Sequence, residues 1–150
     1  MYKRNPIHLF IDLEETVIDN WFNKNFINID KIKNMIDDLN PDHLHIFSAA
    51  IWDINDVNEF NNKLRKNLQI LLNRKIENVI SMEYAKKCSN WVTCDISIRD
   101  LLLDIGKFRL FIDFCKYTTR NCFCILIDDM CDNEIIENLD LNVKIQMIRI

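Results

Sequence analysis

Glycine is almost missing from this chain: a single residue, Gly106, in 150. A glycine-rich loop that cradles phosphates with backbone N–H groups is therefore excluded. No apolar run approaches the roughly 18 residues a membrane span requires. The charged start Met1-Tyr-Lys-Arg-Asn5 leads into a segment too short and too acidic for a signal peptide. The expectation is a cytoplasmic protein with no membrane partner. Paired C-x-x-C units are also lacking: Cys88, Cys94, Cys115, Cys122, Cys124 and Cys131 read as reduced thiols rather than zinc ligands. Cys122 and Cys124 fall on one face of an expected strand, where cysteine acts as a small core residue. Nor is there an excess of positive charge. The net charge of −4 gives no field that recruits nucleic acid nonspecifically, so such a partner would need a local patch.

What is present is a globular composition, 49% hydrophobic and 28% charged, which fits one domain over residues 1–150 and argues against disorder. The stretch Phe10-Ile-Asp-Leu-Glu-Glu-Thr-Val-Ile-Asp19 stands out, because an apolar run ends there in carboxylates followed by a threonine. Ile7, Leu9, Phe10 and Ile11, bounded by Pro6, suit a strand buried on both faces. Asp12 then stands at its carboxyl end, where open α/β sheets bind ligands. The competing reading is that Asp12, Glu14 and Thr16 merely cap the next element.

Downstream, strands and helices alternate. Thr16 to Phe26 reads as an irregular flap. A helix capped by Asn28 or Asp30 carries Ile29, Ile32, Met35, Ile36 and Leu39 to the stop at Asn40-Pro41. His43 to Phe47 is a second strand ending at Ser48, with His43 and His45 as strand-face residues. One long amphipathic helix is expected over Ile54 to Asn73, capped by Asp53 or Asn55. Ile76 to Met82 makes a third strand. Between Glu83 and Ile105, Trp91-Val-Thr-Cys94 is read as extended and Ile98 to Ile105 as helical. Lys107 opens a helix after Gly106, Cys122 to Ile127 is a strand ending in Asp128 and Asp129, Asp132 to Leu139 a short helix, and Val143 to Ile150 a terminal strand. The expected fold is thus a layered α/β domain with a mainly parallel sheet of five strands.

Four signals stand in order: Asp12-Leu-Glu-Glu-Thr16, Ser48 after a strand, Lys107 at a helix start, and Asp128-Asp129 after a strand. In order and spacing they resemble the haloacid dehalogenase (HAD) superfamily of phosphotransferases, and Ile125-Leu-Ile-Asp-Asp-Met-Cys-Asp-Asn133 resembles its acidic final motif. The resemblance spans nearly the whole chain. It implies a Rossmann-like three-layer sandwich with little or no cap, and a Mg²⁺-dependent phosphohydrolase. Asp12 would be the nucleophile that forms an aspartyl phosphate. Asp12, the Glu14 carbonyl, Asp128 and Asp129 would hold Mg²⁺ through hard oxygen ligands. Ser48 and Lys107 would neutralise the transferring oxygens, and Thr16 would orient the first loop. Lys86 and Lys87 compete for the lysine role but lie further from Asp128 than one helix, turn and strand. A receiver domain uses similar residues, with its acidic pair on the first strand instead of the fourth.

Glu14 departs from the family pattern, which has a second aspartate there as acid and base. The extra methylene shifts the carboxyl by more than an ångström, and errors of that size cost about 100-fold in rate. A working phosphatase, a slow phosphotransferase and a binding protein on the same scaffold all remain open. With only the flap and the Glu83 to Ile105 stretch to cover it, the site should be open to a phosphorylated small molecule or macromolecular end. Trp21, Phe22, Phe26, Trp52 and Trp91 could border its mouth and stack on a base, or belong to the core.

Overall fold

Strand β1 (Ile7–Ile11) forms where the sequence places its apolar run, and its side chains alternate between two cores. Leu9 and Ile11 face one way and Phe10 the other, the period-two pattern of a strand covered on both sides. The computed structural model describes residues 4–138 and 140–150; the first three residues of the expected start lie outside them. Among the described residues the elements continue as α1 (Ile29–Leu39), β2 (His43–Phe47), α2 (Ile54–Lys63), α3 (Arg65–Leu72), β3 (Asn78–Ile80), α4 (Met82–Lys87), α5 (Ile98–Ile105), α6 (Lys107–Thr118), β4 (Cys122–Asp128), β5 (Glu134–Asn138) and β6 (Val143–Arg149).

The sheet runs β3-β2-β1-β4-β6-β5. All its pairings are parallel except β5 with β6. Helices cover both faces. Ile32 and Ile36 of α1, Phe60 of α2, and Leu68 and Leu72 of α3 pack on Leu9, Ile11, Leu44, Ile46, Ile125 and Ile127. On the other face Ala85 of α4, Leu101 of α5, and Leu110, Phe111 and Phe114 of α6 pack on Phe10, Phe47, Leu126, Ile145 and Met147. This is an α/β fold with a six-stranded, mostly parallel sheet and helices on both faces, compatible with a Rossmann-like sandwich. Among the described residues no helix is long and apolar enough to cross a membrane.

The structure corrects the expected element list in four places. The sheet has six strands where five were expected, because residues 134–138 form β5 instead of a helix; Leu139, at the end of that expected helix, lies outside the described residues. Ile135 and Ile136 are β-branched neighbours, and the edge of β6 offers them a ladder in which Ile136 pairs with Ile145. The expected helix over 54–73 bends at Leu64 into α2 and α3. Hydrogen bonds run on through the bend, from Leu64 N to Phe60 O and from Leu68 N to Leu64 O. Arg65 reaches from it to Asn61 Oδ1 and to the carbonyls of Ile76 and Glu77, which steers α3 toward β3. Trp91 to Thr93 is a turn instead of an extended segment, pinned by the Trp91 indole N–H donating to Asp113 Oδ2 at 2.8 Å. Met82–Lys87 is helical, capped by Ser81, whose hydroxyl accepts from Tyr84 N.

Candidate phosphoryl-transfer site

The carboxyl ends of β1, β2 and β4 lie side by side, since β1 pairs with both of the others. That juxtaposition brings Asp12, Ser48 and Asp128 to one rim although more than 80 residues separate Asp12 from Asp128 along the chain. Asp12 N donates to Ile127 O at 3.0 Å, fixing the tip of β1 against β4. One carboxylate oxygen from each of Asp12, Asp128 and Asp129 lies within 4.8 Å of the others.

Lys107 ties this cluster together from α6. Its Nζ stands 2.9 Å from Asp12 Oδ1 and 2.5 Å from Asp128 Oδ2, with all three side chains largely buried. Gly106 makes that possible. It holds φ 82° and ψ 161°, a region open essentially to glycine alone, and so turns α5 into α6 with the lysine facing the rim. A Cβ there would meet no atom within 4 Å, so the demand on this position is backbone conformation and not space. Lys86, the competitor, donates instead to Cys94 O at 2.8 Å.

The remaining expected residues also reach the site. Thr16 is fully buried, with its hydroxyl 3.2 Å from Asp12 Oδ2 and 3.4 Å from Asp129 Oδ1. Ser48 is buried at the end of β2, where its Oγ accepts from Ala50 N at 3.2 Å. Asp128 Oδ1 accepts from Met130 N at 2.7 Å. Burial raises the Asp12 carboxyl to about pH 6; Lys107 pulls it down, Asp128 pushes it up, and hydrogen bonds from Lys107 and Ser48 lower it. Burial and then the Asp128 charge raise Asp129 as well. Carboxylates crowded in this way gain most from a cation that shares them.

Glu14 borders the site as well, with its carboxylate already engaged. Its Oε2 accepts from Trp21 N at 2.8 Å, so the carboxylate is committed to the flap and one oxygen is left for anything else. Its neighbour Glu15 was not singled out from the sequence, yet it lines the same cavity and helps raise the Asp129 carboxyl. Glu15 holds φ 59°, a strained value for glutamate, with its N–H donating to Ile18 O at 2.7 Å. The only signal for it in the sequence was its place in a run of acids.

The cavity over the cluster measures about 390 Å³ and is walled by the acids and Lys107 together with Asn20, Ala50, Phe108 and Met130. No residue of 83–105 borders it. That stretch packs under the sheet, with Trp91 and Ile98 on the second core. Of the aromatic residues expected at the mouth, Trp21 and Phe26 lean on the first core and Trp91 on the second, while Phe22 is 95% exposed.

At the opposite, amino ends of β1 and β2 all three histidines meet. His8 Nδ1 and His45 Nε2 are 3.1 Å apart, His8 stacks on His43 at 4.4 Å between centroids, and His45 Nδ1 faces the Asn78 amide at 3.2 Å. His43 Nδ1 pairs with Glu77 at 2.8 Å. Comparison with protein-family models, with curated proteins and with solved structures finds no match.

Proposed function

We propose that this chain is a HAD-like, Mg²⁺-dependent phosphohydrolase that acts on a phosphomonoester through Asp12. The observation that carries the reading is the convergence of Asp12, Asp128 and Asp129 within 4.8 Å, with Lys107 bridging two of them. Three carboxylates with separate free lone pairs are a hard-oxygen donor set, which fits Mg²⁺. Bound there, the ion would offset the charge of the substrate's phosphoryl oxygens.

The residues divide the work. Lys107 keeps Asp12 ionised despite its burial and lies where it can cancel charge on the transferring group. Ser48 supplies a hydroxyl to the same oxygens, and Thr16 fixes the orientation of Asp12 relative to Asp129. Asp12 attacks phosphorus in line; its new O–P bond forms as the ester P–O bond breaks, and the departing oxygen takes up a proton. Water then cleaves the aspartyl phosphate, releasing inorganic phosphate and restoring Asp12. The six cysteines are free thiols, four of them buried, in keeping with a cytoplasmic setting.

Phosphate release from a simple aryl phosphate should require Mg²⁺ and vanish in Asp12→Asn. No turnover across a broad panel of phosphoesters would refute the reading. One observation favours a second reading, a HAD-like binding or regulatory protein: the Glu14 carboxylate, which stands where an acid–base group is needed, is spent on Trp21 N. Glu14→Asp separates the two. A large gain in turnover supports the binding protein, and a loss supports a site tuned around glutamate.

A further inference from the structure

The most exposed large apolar side chain of the described residues, Phe22, sits on the flap beside the acidic cavity. A second hollow of about 620 Å³ lies there, lined by Glu14, Asn20, Trp21, Phe22, Lys24, Glu59 and Lys63. Glu14 and Asn20 line both hollows, so the two adjoin at those residues. A substrate larger than the inner cavity would extend over Glu14 and Asn20 toward the outer hollow and Phe22.

The flap that presents Phe22 is built to hold its shape. Asp19 accepts from Asn20 N, Asn25 N and the Asn25 side-chain amide, and its own N–H donates to Asn25 O. Asn23 N donates to Asn20 Oδ1 at 2.7 Å. The Lys24 ammonium bonds to Trp21 O and lies 4.3 Å over the Trp21 ring. Trp21 N is held by Glu14. The backbone that carries Phe22 is therefore held in place, and its phenyl group stands in water as an apolar surface for a flat partner.

Charge narrows the partner further. The inner cavity sets Asp12, Glu14, Glu15, Asp19, Asp128 and Asp129 against Lys107 alone. In the outer hollow Lys24 and Lys63 share the single carboxylate of Glu59, at 3.2 and 3.5 Å, and with Glu14 the lining carries as many acids as cations. Beyond the reacting phosphoryl group, an additional phosphate in the inner cavity would meet acidic walls with Lys107 as the one cation lining it, and the outer hollow offers no excess of positive charge. A polynucleotide end, which brings a phosphate with every further nucleotide, fits this surface poorly.

We propose that the substrate is a compact aromatic phosphomonoester whose only anionic group is the phosphoryl being transferred, its ring stacked on Phe22. This rests on the phosphohydrolase reading. Its test compares kcat/KM for phenyl phosphate, glycerol 2-phosphate and a single-stranded oligonucleotide with a terminal phosphate, all with Mg²⁺. Phenyl phosphate should be preferred, and Phe22→Ala should lower the phenyl-to-glycerol ratio about tenfold, chiefly through KM. Phe22→Trp should restore the ratio. Glu59→Gln, which frees Lys24 and Lys63, should raise turnover of the oligonucleotide relative to phenyl phosphate. An unchanged ratio in Phe22→Ala, or an oligonucleotide end turned over as well as phenyl phosphate, overturns this inference and leaves the phosphohydrolase reading intact. Absence of turnover on all three refutes both.

Discussion

The two ends of strands β1 and β2 bury ionisable groups of opposite kind and treat them differently. At the carboxyl end, Asp12 and its partners converge on a cavity, tied by Lys107, Thr16, Ser48 and the Met130 N–H. At the amino end, His8, His43 and His45 spend their ring nitrogens on one another, on Asn78 and on Glu77. Burial and the neighbouring histidines push His45 down to about 4, whereas burial raises Asp12 to about 6. Both groups are thus biased toward neutrality by the same sheet. The difference lies in their partners: the imidazoles are satisfied within the protein, and the carboxylates are left needing a cation. Burial of titratable groups alone does not mark a site; unmet coordination facing a cavity does.

The sharpest way to break this contrast is to remove the one cation at the acidic end. Lys107→Met should lower phosphate release by at least about 100-fold. It leaves two buried carboxylates without their partner, which by the usual cost of breaking a buried pair destabilises the fold by roughly 3–5 kcal/mol before protonation relieves part of it. A variant with near-normal turnover would remove Lys107 from the site.

The histidine end should respond to acid alone. Because the folded pKa of His45 lies near 4 and its ordinary value is 6.5, the unfolded chain binds the extra proton between those values. Stability is full above about pH 6.5 and falls as pH drops toward 4, by at most about 3 kcal/mol. His45→Gln should flatten that limb of the denaturation profile while leaving phosphate release untouched. Asp12 has the opposite sign: with its folded value near 6 against 3.8, the folded state binds the extra proton, so this group's contribution falls as pH rises through that window. Mg²⁺ should therefore raise Tm more at pH 7.5 than at pH 5, and Asp12→Asn should erase the difference.

Gly106→Ala is the mildest change. The new Cβ meets nothing, so the cost is backbone strain of about 1–3 kcal/mol, with turnover falling as α6 shifts Lys107 from the rim. Equal stability and turnover would show that the φ of 82° is not what aims the lysine.

The sequence already displayed much of this, for physical reasons. Strands buried on both faces write themselves as runs such as Ile7–Ile11 and Cys122–Asp128, and the acids that end them stood out because nothing apolar would place them there. Expectation and structure agree in bringing Asp12, Thr16, Ser48, Lys107, Asp128 and Asp129 to one rim. β5 was illegible because adjacent Ile135 and Ile136 between Glu134 and Glu137 show no strand alternation, and the edge of β6 supplies the ladder that their β-branched side chains favour. The bend at Leu64 comes from Arg65 reaching carbonyls 11 and 12 residues away, which no local pattern announces. Glu14's bond to Trp21 and Glu15's place in the cavity depend on how the flap folds back, a matter of turns whose register the residues do not print.

The most direct measurement is a thermal melt of wild type and Asp12→Asn at pH 7.5 with Mg²⁺ plus beryllofluoride, read beside phosphate release from phenyl phosphate. Wild type should gain several degrees with both additives beyond its gain with Mg²⁺ alone and should release phosphate, and the variant should do neither. A wild-type protein whose Tm ignores the pair, or a variant that keeps turning over phenyl phosphate, would contradict the account.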